Sequence, residues 1–230
     1  MNLKPNPNKQ LIIEANGKKY ARYPVKIDLV TPEDTNISEI IKKNTKNLIQ
    51  EGDIVFISEK IVSISQGRSY PLKEIKPSKI ATWLSQKVYK NPGGIGLRSP
   101  ETMQLAIEEA GLWRILLAAA IAAITKPFGI RGLFYILAGS QARAIDGAVP
   151  YAIPPYNEYV SKGPKEPNKV AKEISQKIKC PTAIVDANDL GVNILGVSHR
   201  VNKKLIAQII RDNPLGQTDE STPIGIIRPL

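Results

Sequence analysis

The sequence predicts a mixed α+β fold with several strands and at least four helices, and three observations carry that prediction. Apolar residues recur at helical spacing in some segments and as short β-branched runs in others. Capping residues, prolines and glycines bracket those segments. Of the 230 residues, 42% are hydrophobic and 23% charged, enough apolar material for a buried core. The expected organisation is a single domain over 1–230, with the central helical segment 70–130 as a candidate subdomain.

Taken in order, residues 32–50 open with acidic and capping residues and place Ile37, Ile40, Ile41, Leu48 and Ile49 near helical spacing before Gly52, which predicts an amphipathic helix. Asp53–Ser58 and Lys60–Ser65 are short, β-branched and closed by Gly67, which predicts buried strand followed by a turn. Ser99-Pro100-Glu101 supplies an N-cap, a first-turn proline and an acidic first turn, and Gly111 ends that helix. The apolar run Ile115–Ile124 is about half of the roughly 20 residues a membrane span needs. It stops at Thr125-Lys126-Pro127 and predicts a buried helix. A peripheral membrane contact is the alternative, because Phe128, Phe134 and Tyr135 follow with Lys126 and Arg131 among them.

Leu133–Ala138 predicts a strand, and Gly147–Pro155, with prolines at 150, 154 and 155, an ordered crossing loop. Pro167 begins a helix with Val170, Ala171, Ile174 and Ile178 on one face. Thr182–Val185 is a predicted strand running into Asp186-Ala187-Asn188-Asp189-Leu190-Gly191, and Asn193–Val197 is another. Asn202 caps a helix carrying Leu205, Ile206, Ile209 and Ile210 that ends at Asp212-Asn213-Pro214, and Ile224–Ile227 is the last strand.

The formal net charge of +11 favours anionic partners. The excess is spread along the chain, and no basic run with interleaved aromatics stands out, so nucleic acid is not an expected partner. One cysteine, Cys180, and one histidine, His199, exclude a disulfide framework and a zinc site of several thiolates or imidazoles. Metal chemistry here must use oxygen. The first 25 residues are polar, with no apolar core of signal-peptide length, so a cytoplasmic location is expected and a membrane is not an expected partner.

Phosphate-binding motifs are absent. Gly17-Lys18 is followed by Lys19, which rules out a P-loop; Gly93-Gly94-Ile95-Gly96 lacks the third glycine of a dinucleotide fingerprint, and there is no G-x-S-x-G. Three polar clusters remain at the ends of apolar runs: Asp146, Asp186 to Asp189, and Gln217 to Glu220. Carboxylates and amides gathered this way suit hard divalent cations, and equally they cap helices and tighten turns. Arg68, Arg143 and Arg228 are candidates to meet phosphate, with carboxylate pairing the alternative. His199 reads as a surface residue, Cys180 as a small buried hydrophobe, and Trp83, Trp113 and Tyr156 as packing residues.

The segment GDIVFISEKIVSISQGR (52–68) resembles a signature of the coenzyme F420-0:gamma-glutamyl ligase family: Gly-Asp, four or five apolar residues, a polar pair, Ile-Val-Ser, a small-residue turn and Gly-Arg. GQTDESTPIGIIRPL (216–230) is similar to that family's closing pattern of Gly-Gln or Gly-Glu, an acidic segment, a proline and an apolar strand ending in arginine. AGSQARAIDG (138–147) resembles a metal-binding Asn-Ala-Gly-Ile-Asp segment, and TAIVDAND (182–189) a strand leading to an Asp-Thr-Asn metal site. The resemblance covers 20–68 and 130–230; 70–130 does not align by inspection.

The resemblance implies a gamma-glutamyl ligase-like fold and a GTP-dependent acid–amino-acid ligase of coenzyme F420 biosynthesis, joining L-glutamate to an anionic carboxylate acceptor through an acyl phosphate. The implied cofactors are Mg or Mn and a monovalent cation, K, with GTP as the nucleotide, and the implied assembly is a homodimer. Carried over by position, Asp146, Asp186 and Gln217 would be metal ligands, with Asn188 or Asp189 in support. The nucleotide would meet Ser58, Glu59, Lys60 and the loop Leu215, Gly216, Gln217, Thr218, Asp219, Glu220, Ser221 and Thr222, with a further contact near Lys26–Asp28. Arg68 and Arg143 remain phosphate candidates, and no catalytic residue is named.

Three departures bear on activity. The family's lysine falls on Ile64, leaving Lys60, four residues earlier, to supply the charge. The threonine after the second aspartate is Ala187, and an asparagine three residues after the first aspartate is Val149. Two other readings therefore stay open: a divergent relative that has lost ligase chemistry, and a non-catalytic module binding anions or nucleic acid.

Overall fold

The computed structural model describes residues 4–88, 96–130, 132–188, 191–199, 201–216, 218 and 220–230, and they form the mixed α+β fold that the sequence predicts. The chain divides into two compact units, one made of 1–67 with 164–230 and the other of 68–163.

The first unit is built on a six-stranded sheet. In chain order its elements are β1 (Ile12–Ala15), β2 (Lys18–Val25), α1 (Ile37–Thr45), β3 (Ile54–Ser58) and α2 (Glu59–Ser65), then α8 (Pro167–Ile178), β6 (Thr182–Asn188), β7 (Gly191–Val197), α9 (Lys203–Ile209) and β8 (Ile224–Pro229). The strand order is β1-β2-β8-β3-β6-β7; β3 and β6 run parallel and every other pair is antiparallel. β1 and β2 form a hairpin through Asn16 and Gly17, whose φ angles of 49° and 70° match the left-handed turn that favours Asn-Gly. α9 touches both β1 and β7, so the sheet curls around it. Ile206, Ile209 and Ile210 meet Phe56, Ala183, Val185 and Ile227 on that face. At the centre, Gly225 pairs with Phe56 in register, and the Phe56 ring fills the space a Cβ would take.

Buried charge in this unit is paired. Arg22, fully buried on β2, donates to the Ile209 carbonyl (2.9 Å), to the Gln10 carbonyl and to both oxygens of Asp212. Arg228 makes a two-pronged contact with the buried Asp53 (2.9 and 2.8 Å) and donates to the Leu48 carbonyl, so the carboxylate-paired alternative is the observed one. The hydrogen bonds it donates to Asp53 hold the Arg228 guanidinium above its ordinary pKa. Cys180 is buried as expected, its thiol donating to the Asp53 carbonyl. Burial, followed by the nearby Asp53 charge, pushes that thiol up to about 11, which makes it inert as a nucleophile at neutral pH.

The second unit holds β4 (Ser69–Pro71), α3 (Lys79–Ser85), α4 (Pro100–Ala110), α5 (Leu112–Thr125), α6 (Leu133–Ala138), α7 (Ser140–Arg143) and β5 (Tyr159–Ser161). β4 and β5 pair antiparallel, and the core beside them gathers Leu84, Leu97, Met103, Leu105, Ile115 and Phe134. Ser99 caps α4, Pro100 opens it and Gly111 closes it, as the sequence predicts.

Four expectations are corrected. Residues 60–65 form helix α2 instead of a strand: Ser58 accepts the Lys60 amide as N-cap, and Ile61 to Ser65 are all buried. A short run covered on every side carries no period from which to tell strand from helix. Residues 133–138 form helix α6, bracketed by Gly132 and Gly139 at φ 83° and 99°, with Phe134 and Ala138 buried one turn apart. The run 115–124 is helical but only half covered; Ile115 and Ala118 are buried, while Leu117 and Ile124 are 62% and 67% exposed. Trp113 and Trp83, expected to pack, are 82% and 57% exposed, whereas Tyr156 is buried. Among the described residues no helix is long and apolar enough to cross a membrane.

Candidate active site

Strand direction decides which sequence-predicted residues meet. Val25 at the end of β2 pairs with Ile224 at the start of β8, and Ile57 near the end of β3 pairs with the same residue. Ser58 pairs with Val185, so the ends of the parallel strands β3 and β6 lie side by side. One end of the sheet therefore collects the segment after β2 (Lys26–Asp28), the β3–α2 junction (Ser58, Glu59, Lys60), the end of β6 (Asp186, Asn188) and the loop before β8 (215–222). Backbone hydrogen bonds bind these segments: the Ile27 amide donates to the Ser221 carbonyl (3.0 Å), and the Ser58 amide to the Pro223 carbonyl (2.8 Å).

β6 runs on through Asn188, three residues beyond the predicted end, and Asp186 pairs with Asn193 of β7. Alternation along the strand puts Ala187 with the apolar cluster around Ile206 and leaves Asp186 and Asn188 together on the other face, both half-buried. An oxygen in place of the Ala187 methyl would point into that apolar cluster. The Asn188 side-chain oxygen accepts the Gly191 amide (3.1 Å). On α2, Lys60 and the buried Ile64 are one helical turn apart, so the offset of four that shares a face on a strand also does so on the helix.

The loop is fixed at its base. Asn213 is fully buried at φ 49°, and its side-chain amide donates to the Gly216 carbonyl (3.0 Å), while the Gly216 amide donates back to the Asn213 carbonyl (3.2 Å). Gly216 has φ 81°, and a Cβ there would collide with the Glu220 carboxylate, so glycine lets that carboxylate lie against the backbone. Glu220 accepts the Thr218 amide (2.7 Å), and the Thr222 hydroxyl donates to the Leu215 carbonyl (2.6 Å). Asn6 joins in from the chain's beginning, its side-chain amide donating to the Pro214 carbonyl (2.9 Å) and to the Thr222 hydroxyl (2.8 Å). No local pattern marks Asn6, because its partners lie more than 200 residues away. Asp189, Gln217 and Asp219 lie outside the described residues.

The remaining candidates belong to the second unit. Asp146 is exposed, and its backbone exchanges two hydrogen bonds of 2.9 Å with Ser161. Arg143 is exposed at the end of α7. Arg68 is buried, donating to the Gly163 carbonyl and to Glu109, both at 2.7 Å, while Lys162 meets Glu108 (3.1 Å) and lies over the Tyr70 ring.

Donors at the sheet end are oxygens from Ser58, Glu59, Asp186, Asn188 and Glu220, a set whose chemistry fits a hard divalent cation. Among the described residues, no three His, Cys, Asp or Glu side chains already converge on one point.

A protein-family model described as F420-0:Gamma-glutamyl ligase matches residues 24–194. The match runs through the 70–130 segment that inspection does not align, and it takes in Ser58 to Lys60, Asp146 and Asp186. No curated protein matches the chain significantly. With most of its length covered, from the end of β2 into β7, the chain belongs to the F420-0:gamma-glutamyl ligase family.

Proposed function

We propose that the protein is a GTP-dependent ligase that joins the amine of L-glutamate to a carboxylate of a deazaflavin-type phosphate ester, coenzyme F420-0 or a relative, in coenzyme F420 biosynthesis. The observation supporting this reading most directly is the gathering of Ser58 to Lys60, Asp186, Asn188 and the 215–222 loop at one sheet end. In the proposed reaction the acceptor carboxylate attacks the γ-phosphoryl group, giving an acyl phosphate and GDP. The glutamate amine then attacks the acyl carbon, an amide forms, phosphate leaves, and the amine's proton passes to solvent.

Each part of the site has a proposed task. The loop and Lys60 hold the nucleotide phosphates, and Ser58 and Glu59 contact the guanosine portion. Asp186 and Asn188 are proposed cation-holding oxygens; the family resemblance separately proposes Asp146 and Gln217 as metal ligands. Mg or Mn, when bound, neutralises phosphoryl charge and orients the attacking carboxylate in line. K is the proposed monovalent cation, and the cytoplasm the proposed location.

The reading is tested by thermal unfolding. GTP with Mn at about 100 times its dissociation constant adds about 2.7 kcal/mol, which is expected to raise the melting temperature by roughly 5–10 °C. No rise with GTP and Mn together would refute nucleotide binding.

We also propose a homodimer. Its support is the bare face of α5, where the exposed Trp113, Leu117, Ala120 and Ile124 follow a 4-3-4 spacing suited to packing against a second helix. Light scattering is expected to give twice the chain mass, with Leu117→Glu dissociating the pair; a monomeric wild type would exclude it.

A further inference from the structure

We infer that the segment before β1 is a strap that holds the phosphate loop in its binding shape, and that Asn6 is its positioning residue. The inference rests on the nucleotide reading of the 215–222 loop for its function, but not for its geometry.

Asn6 is half-buried, and both hydrogens of its side-chain amide are engaged with the two feet of the loop, Pro214 on one side and Thr222 on the other. Thr222 passes the connection on, since its hydroxyl accepts from Asn6 and donates to the Leu215 carbonyl. Pro214, Leu215 and Thr222 are thus tied through one amide, and the exposed Thr218 is carried between fixed ends. Lys9 adds a second tie, its ammonium donating to the Asp212 carbonyl (2.6 Å) just before the loop. Arg22 anchors the same stretch from below through Ile209 and Asp212. The strap and the loop are therefore one hydrogen-bonded piece built from opposite ends of the sequence.

A loop whose feet are held apart at a fixed spacing binds its ligand without first being ordered, and that preorganisation appears as affinity. Losing both Asn6 bonds should raise the open population of the loop about tenfold. By linkage, nucleotide bound in the loop must in turn steady the strap.

Hydrogen exchange on the full chain without nucleotide tests the geometry. In Asn6→Ala the Gly216 and Thr218 amides are expected to exchange about tenfold faster. In Asn44→Ala, which deletes a comparable amide bond within α1, they keep wild-type rates. Equal rates in Asn6→Ala and wild type would overturn the strap. If Asn6→Ala fails to fold, wild-type exchange decides: Lys9 and the Gly216 amide opening together supports one unit, and Lys9 exchanging freely while Gly216 stays protected overturns it. Titration with GTP and Mn tests the functional half, with dissociation constants about tenfold higher in Asn6→Ala than in Asn44→Ala expected and equal constants against it. Wild type that binds no GTP defeats the nucleotide reading while leaving the exchange result standing.

Discussion

Asp186→Ala is expected to abolish the rise in melting temperature produced by GTP with Mn, while moving the melting temperature of the unliganded protein little. The asymmetry follows from position. Asp186 lies past the end of the β3 pairing and is half-buried, whereas the fully buried residues of its strand, Thr182 to Val185, all precede it. Removing its carboxylate leaves no core cavity. It does remove an anionic oxygen donor at the sheet end. Replacing even residues behind metal ligands costs about 10–100-fold in affinity, so loss of a ligand should exceed that range. Asp186→Asn, which keeps the shape and removes the charge, should fail similarly. An unchanged thermal response in Asp186→Ala would remove this residue from the site.

Gly225→Val is expected to be among the most destabilising single substitutions in the sheet, costing upward of ~3 kcal/mol, a large part of a typical stability of ~5–15 kcal/mol. β8 runs between β2 and β3, and Gly225 is paired with Phe56 on one side and Pro24 on the other. A Cβ there would fall on the tip and edge of the Phe56 ring, itself fully buried. The ring is fully buried, so the extra methyls force it off its rotamer or spread the strands. Gly191→Ala is the control: a Cβ there meets open space, and the cost should stay within about 0.5 kcal/mol. Chemical denaturation measures both, and a Gly225→Val protein within 1 kcal/mol of wild type, on the order of an ordinary surface change, would show that the ring moves freely.

What could be read from the sequence was local. Ser99-Pro100 with Gly111, Pro167, and Asn202 before α9 mark helix ends through interactions within a few residues, and each lies where it was expected. Residues 60–65 and 133–138 were misread because a short apolar run shows its period only where one face is polar. The bare face of α5 had no sequence signal, since a helix apolar on all sides does not say which side its neighbours cover. The segments proposed to carry the chemistry stand out one by one through family likeness, Ser58 to Lys60, Asp186 and 215–222 among them. Their meeting was not legible, because it depends on β8 inserting between β2 and β3. Asn6 was invisible for the same reason, its partners being set by the fold and not by the neighbouring sequence.

The most direct test of the ligase reading is mass spectrometry of the acceptor after incubating the full chain with GTP, Mn, L-glutamate and the deazaflavin phosphate ester F420-0. The account predicts an acceptor heavier by one or more glutamyl units, formed only when nucleotide and metal are both present, with GDP and phosphate released in step. An acceptor of unchanged mass, from protein whose melting temperature rises with GTP and Mn, would contradict the proposed reaction and leave a nucleotide-binding protein without this ligase activity.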